Sequence, residues 1–127
     1  MSKELIIKKC MKCGATVKVL EDCTCENCGI KCCGEEMKRI IPNSVDAAVE
    51  KHVPTYEVKD GKLFVKVNHV MEEDHFIEWI SIVFDDKEIV TYLKPGEDAE
   101  AHCCRYEPGS VIYSYCNKHG LWKTVVE

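Results

Sequence analysis

From residue 53 onward, apolar and polar positions alternate in short runs broken by turn residues, whereas residues 1–36 carry only scattered apolar pieces between cysteines. Alternation with period two sends one row of side chains toward a core and the other toward solvent. On that basis 53–58, 62–70, 76–84, 88–93, 99–106, 110–116 and 121–126 read as strands. Asp60-Gly61 and Asp85-Asp86 mark hairpins, and Lys94-Pro95-Gly96 and Glu107-Pro108-Gly109 mark further turns. Seven short strands at this spacing predict a mainly β fold, a small antiparallel sandwich of immunoglobulin-like type. Within the second run Leu63, Val65, Val67 and His69 share one face and Lys62, Phe64, Lys66 and Asn68 the other. His69 therefore continues an inward row, and is expected where the core opens at one end of the sandwich.

Ahead of the sandwich, Leu5-Ile6-Ile7 and Val17-Lys18-Val19-Leu20 suggest small hairpins hung on a metal. A connector over 37–51 contains Pro42-Asn43-Ser44 and a stretch, 46–50, able to make one helical turn capped by Ser44 or Asp46. The expected organisation is a cysteine-rich metal-binding module at 1–36, the connector at 37–51, and the sandwich at 52–127, with the module boundary near Pro42.

Composition sharpens this division. Seven of the ten cysteines lie between Cys10 and Cys33, a stretch too poor in large apolar side chains to build a core, so that module needs a staple or a metal. At the N-terminus only three consecutive apolar residues precede more charge, which draws neither a secretory segment nor a spanning helix. The expectation is a cytoplasmic protein with no membrane association. In a reducing cytosol, clustered cysteines bind metal or do redox chemistry rather than form lasting disulfides. Net charge is −5, with both signs interspersed and no Lys/Arg stripe, which argues against nucleic acid as a partner.

The chain's candidate chemistry lies in His52, His69, His75, Cys116 and His119, which can offer four imidazoles and one thiolate to a single ion. Structural zinc takes four ligands, so a fifth points to iron that reacts. Cys116 and His119 are three residues apart, and the loop between His69 and His75 is long enough to aim both rings at one centre. His102, next to Cys103-Cys104 in mid-strand, reads as packing, and adjacent strand residues such as Cys103 and Cys104 point to opposite faces.

Several motifs occur in order: Glu50-Lys51-His52-Val53-Pro54, His69-x5-His75 enclosing Met71-Glu72-Glu73, Ile77-Glu78-Trp79-Ile80, Leu93-Lys94-Pro95-Gly96, and Tyr115-Cys116-Asn117-x-His119-Gly120-x-Trp122-Lys123. Together they resemble the desulfoferrodoxin family of superoxide reductases. Cys10-x2-Cys13 with Cys32-Cys33-Gly34-Glu35-x-Met37 resembles the desulforedoxin-like domain of its two-iron members. The resemblance implies a ferrous centre with His52, His69, His75 and His119 around the equator, Cys116 axial, and the sixth position open to superoxide. It also implies a role for Lys51 in attracting the anion and delivering protons, and for Glu50 in occupying the sixth site of oxidised iron. Superoxide would be reduced to hydrogen peroxide by one electron, in defence against oxidative stress. A rubredoxin-like electron donor and a homodimer follow from the same resemblance.

For the N-terminal metal, iron or zinc, the family pattern implies Cys10, Cys13, Cys32 and Cys33. The rival set is a zinc ribbon using Cys10-x2-Cys13 and Cys25-x2-Cys28. Cys23, Cys25 and Cys28 depart from the family pattern and raise the question of a second cluster or a thiol switch. Two other functions compete with the enzyme: a non-catalytic iron electron carrier, and a zinc-stapled interaction module. Ligand number disfavours the zinc-only reading.

Overall fold

Residues 4–26, 29–45 and 47–127 are described by the computed structural model, which separates into two units, Glu4–Ile41 and Pro42–Glu127. In the first, β1 (Ile6–Lys9) pairs antiparallel with β2 (Thr16–Val19), and β3 (Lys31–Cys32) with β4 (Glu35–Glu36). The short β5 (Lys38–Arg39) closes on the other edge of β1, and Met37 is buried, so these residues of the expected connector belong to the first sheet. Its buried apolar side chains are few: Leu5, Ile7, Cys10, Val19 and Met37. Lys8 is buried too, and its ammonium is held by Asp22 at 2.7 Å, as a buried charge requires.

The second unit is a two-sheet sandwich. One sheet has the order β10-β7-β6, from Glu100–Cys103, Lys62–Lys66 and Thr55–Lys59. The other runs β12-β11-β8-β9, from Gly120–Val125, Val111–Cys116, Ile77–Val83 and Glu88–Tyr92. Leu63, Val65 and Ala101 of the first sheet meet Ile80, Ile82 and Ile112 of the second in one apolar core, as the alternation predicts. Lys59 and Lys62 pair across Asp60-Gly61, where φ is +54° and +74°, a two-residue turn whose twist suits the hairpin. No helix among the described residues is long and apolar enough to cross a membrane.

Two expected strands are each four residues shorter than the alternation suggested. β7 ends at Lys66; Val67 still donates to the Ala99 carbonyl, but the His69 N–H turns back onto Val67 O at 2.9 Å. Alternation persists beyond the ladder, since Val67 is buried while His69 is half-exposed at the sandwich end. β10 ends at Cys103, where the thiol donates to Arg105 O, so Cys104 falls outside the strand. The expected helical turn is a single 3-10 turn, Val49–Lys51, that begins from Ala48 with no side-chain cap. Ser44 therefore does not cap it, and Asp46, the other expected cap, lies outside the described residues.

Candidate metal centres

His52, His69, His75, Cys116 and His119 converge, with one potential ligand atom from each lying within 4.8 Å of every other. Each comes from an element end. His52 follows the 3-10 turn, His69 continues the row of β7, and His75 closes a tight turn bridged to Glu72. Cys116 ends β11, and His119 sits in the three-residue turn before Gly120, whose φ of +79° reverses the chain into β12. An irregularity in the β11–β8 register falls between Tyr115 and Cys116, re-aiming the thiol at the strand end.

The four rings form a closed square. Neighbouring centroids are 4.7 Å apart for His52–His69, 4.6 Å for His69–His75, 5.2 Å for His75–His119 and 4.8 Å for His119–His52, with interplanar angles of 68° to 88°. The Cys116 sulfur lies 3.4 Å from His69 Nε2 and 3.8 Å from His119 Nδ1. The donor set was legible in the sequence; its cyclic order was not.

Hydrogen bonds decide which nitrogens face inward. His52 Nδ1–H donates to Ala48 O at 2.7 Å and His69 Nδ1–H donates to Val70 O, which leaves an Nε2 lone pair on each ring. His52 Nε2 then lies 3.0 Å from His119 Nδ1. Two nitrogens bound at right angles, each ~2.1 Å from one ion, sit about 3.0 Å apart. His75 Nε2 is buried without a hydrogen-bond partner, a state that costs ~1–3 kcal/mol unless something accepts its lone pair. Burial also holds the imidazoles of His69 and His119 below their usual pKa, keeping them neutral and able to ligate. An iron ion fits this set of acceptors.

His52 is supported by two residues that sequence reasoning did not single out as functional. Ser114, fully buried in β11, donates its hydroxyl to His52 O at 2.8 Å. Trp122 stacks on the His52 ring at 4.9 Å and donates Nε1–H to His119 O at 3.1 Å. A serine in an otherwise apolar buried strand was the available signal.

The second centre gathers Cys10, Cys13, Cys32 and Cys33. Adjacent residues of a strand face opposite ways, but Cys33 leaves β3 with φ +56° and Gly34 follows at +77°, so a two-residue turn keeps both sulfurs together. Cys13 and Cys32 sulfurs are 3.6 Å apart, and Cys32 and Cys33 sulfurs 3.9 Å. Backbone N–H groups of Cys13 and Lys12 pull the Cys10 thiol down to about 6. Hydrogen bonding to Cys13 first, then Cys10, pushes Cys32 up to about 12. Four sulfurs this close ionise together only around a cation, which suits an iron or zinc ion.

Cys25 is disulfide-bonded and stands outside this cluster, and Cys28 lies outside the described residues. Cys23 is an exposed free thiol. Cys103 is buried in the core and Cys104 is exposed, the opposite orientations expected of neighbours. His102 stacks on its cross-strand partner Phe64, away from the five converging ligands. Glu50 and Lys51 are exposed in the 3-10 turn, and Lys51 lines, with His69, an open depression of about 750 Å³.

Comparison with known proteins agrees with this architecture. The family model described as Desulfoferrodoxin matches residues 44–125. The desulfoferrodoxin of Desulfarculus baarsii is 44% identical over 126 residues, spanning 97% of this chain and 98% of that protein. That of Nitratidesulfovibrio vulgaris is 40% identical over the same shares. Among solved structures, the superoxide reductase from Treponema pallidum has the same fold, with a TM-score of 0.70 at 23% identity, over 96% of this chain and 99% of that one.

Proposed function

The chain belongs to the desulfoferrodoxin family, and we propose that it is a superoxide reductase, adding one electron and two protons to superoxide to give hydrogen peroxide. The observation that carries this reading is the square of four imidazoles with one fully buried thiolate beside it. When bound there, iron supplies the electron and is returned to the ferrous state by a donor. The Cys116 thiolate directs electron density toward the metal, and its burial shields it from competing oxidants. The hydrogen bonds of Ala48 and Val70 fix the His52 and His69 rings, which limits reorganisation as the charge changes.

Lys51 offsets the net charge of −5 that an anion meets on approach, and its ammonium can hand a proton to the reacting oxygen. Its place on the depression that His69 also lines supports this role. Glu50, exposed beside it, is assigned to ligating the oxidised metal. The unit Glu4–Ile41 is assigned as a desulforedoxin-like electron-transfer module with iron or zinc on Cys10, Cys13, Cys32 and Cys33, and Pro42–Glu127 as the reductase domain. The wider proposal is a cytoplasmic homodimer in oxidative-stress defence, re-reduced by a rubredoxin-like protein. Exposed Met11 and Leu20 on the poorly cored module support pairing with a second copy.

The test is to mix the ferrous protein anaerobically with superoxide and follow the thiolate-to-iron(III) absorption. Appearance of that band with hydrogen peroxide and without dioxygen is expected. A zinc-filled centre, or oxygen released in equal measure, rejects the assignment.

A further inference from the structure

Asn117 occupies the turn between two of the five ligands, Cys116 and His119, yet its side chain reaches to a third. Its Nδ2–H donates to Asp74 O at 2.9 Å, and its Oδ1 accepts from Phe76 N–H at 3.1 Å. The backbone adds a third link, Asn117 N–H to Phe76 O at 3.3 Å. These bonds grip the chain immediately before and after His75. The local turn, with Glu72 N–H to His75 O at 2.9 Å and His75 N–H to Glu72 O at 3.2 Å, carries three consecutive exposed carboxylates, Glu72, Glu73 and Asp74. Like charges so close disfavour a tight turn, so its shape needs an outside hold. The ring it presents is the one whose inner nitrogen is buried and unpartnered.

We propose that Asn117 is a positioning residue that sets the fifth ligand, clamping the backbone on both sides of His75 so that its Nε2 faces the other four donors. Without the clamp the set falls toward three imidazoles and a thiolate, a four-ligand complement that suits tetrahedral zinc as well as iron. Asn117 thereby favours the five-ligand iron site over the commoner closed one. This rests on the iron reading of the centre given above.

The test uses the full-length chain loaded with iron(II) and measures its release to a ferrous chelator, reading the iron left in the histidine–thiolate centre by its charge-transfer absorption after reoxidation, with the four-cysteine centre as an internal reference. Asn117→Ala is expected to release the first iron ~10–100-fold faster, the usual effect of removing a group that orients a ligand, and to leave the reference unchanged. Asn117→Asp, which keeps the acceptor for Phe76 N–H, is expected to fall between, and it serves also if the alanine variant does not fold. Because the clamp acts through His75, Asn117→Ala is expected to add nothing to His75→Ala. Release at the parent rate, or effects of the two substitutions that multiply, overturns the clamp. A parent that retains no iron at this centre overturns both the clamp and the proposed function.

Discussion

In Glu4–Ile41 the sulfurs of Cys10, Cys13, Cys32 and Cys33 gather from two turns over a handful of buried side chains. In Pro42–Glu127 the ligands hang from the ends of strands whose core joins two sheets. The first centre is built from crowded cysteines whose neighbours draw Cys10 down and push Cys32 up, the second from imidazoles of which His52 and His69 are already oriented by carbonyl groups. A unit below about 40 residues seldom folds without a metal, disulfides or a partner. In the first unit, then, a bound metal would help to hold the fold, beside the Cys25 disulfide; in the second the fold itself arranges the donors that would hold one.

The largest effect expected from this contrast comes with metal removal. A structural thiolate site can contribute an apparent ~10–16 kcal/mol to folding. Chelation is expected to abolish amide-exchange protection in β1 and β2 while β7, β8 and β11 keep theirs. Protection of β1 without metal would break the comparison.

Lys51→Ala tests the open side of the second centre. The superoxide step is expected to slow by at least ~10-fold and lose much of its salt dependence, while iron content stays at the parent level. Stopped-flow rates at two ionic strengths check this, and an unchanged rate removes the steering role. Ser114→Ala addresses the buried side, where a hydroxyl meets the His52 carbonyl. Leaving that carbonyl unpaired is expected to cost about 1–3 kcal/mol of sandwich stability, seen as a lower denaturant midpoint for the second unit with the first unaffected.

The smallest effect is expected at the surface of the sandwich. Arg105 bonds Asp86 at 2.8 Å and Glu107 at 2.7 Å while its guanidinium lies over Phe84, and the Arg105 hydrogen bond holds the Asp86 carboxyl below its usual pKa. A depressed carboxylate stabilises the folded state fully above its unfolded value, ~3.9, and loses that contribution as pH falls through the lower folded value. Asp86→Asn is expected to lower the melting temperature slightly at neutral pH and to converge with the parent in strong acid. A constant offset across that range counts against the pair. Exposure of Asp86 and the partial exposure of Arg105 keep the effect small.

Much of the sandwich was readable because alternation is a local property. Leu63, Val65 and Val67 are buried where the pattern placed them, and the Asp60-Gly61 turn follows from residues that tolerate positive φ. Strand ends were less legible: β7 stops at Lys66 because its ladder ends there, although the apolar row continues. The cysteine module hid its geometry for another reason. Strand parity sets Cys32 and Cys33 on opposite faces, and only the left-handed backbone at Cys33 brings their sulfurs together. Ser114 and Asn117 were similarly hard to read, because a hydroxyl in a buried strand or an amide in a turn has many ordinary uses.

By itself the sequence determined the kinds of donor, four imidazoles and a thiolate in one unit and paired cysteines in the other, together with the strands that carry the former. Donor chemistry belongs to single side chains, and alternation to neighbours in the chain. Tertiary structure decided which histidines stand side by side, which ring nitrogen each turns inward, and what holds each ring. His52 meets His119 across 67 residues, and Ser114 meets the His52 carbonyl across 62. Such contacts depend on how two sheets pack and where their strands end, and no local pattern encodes that.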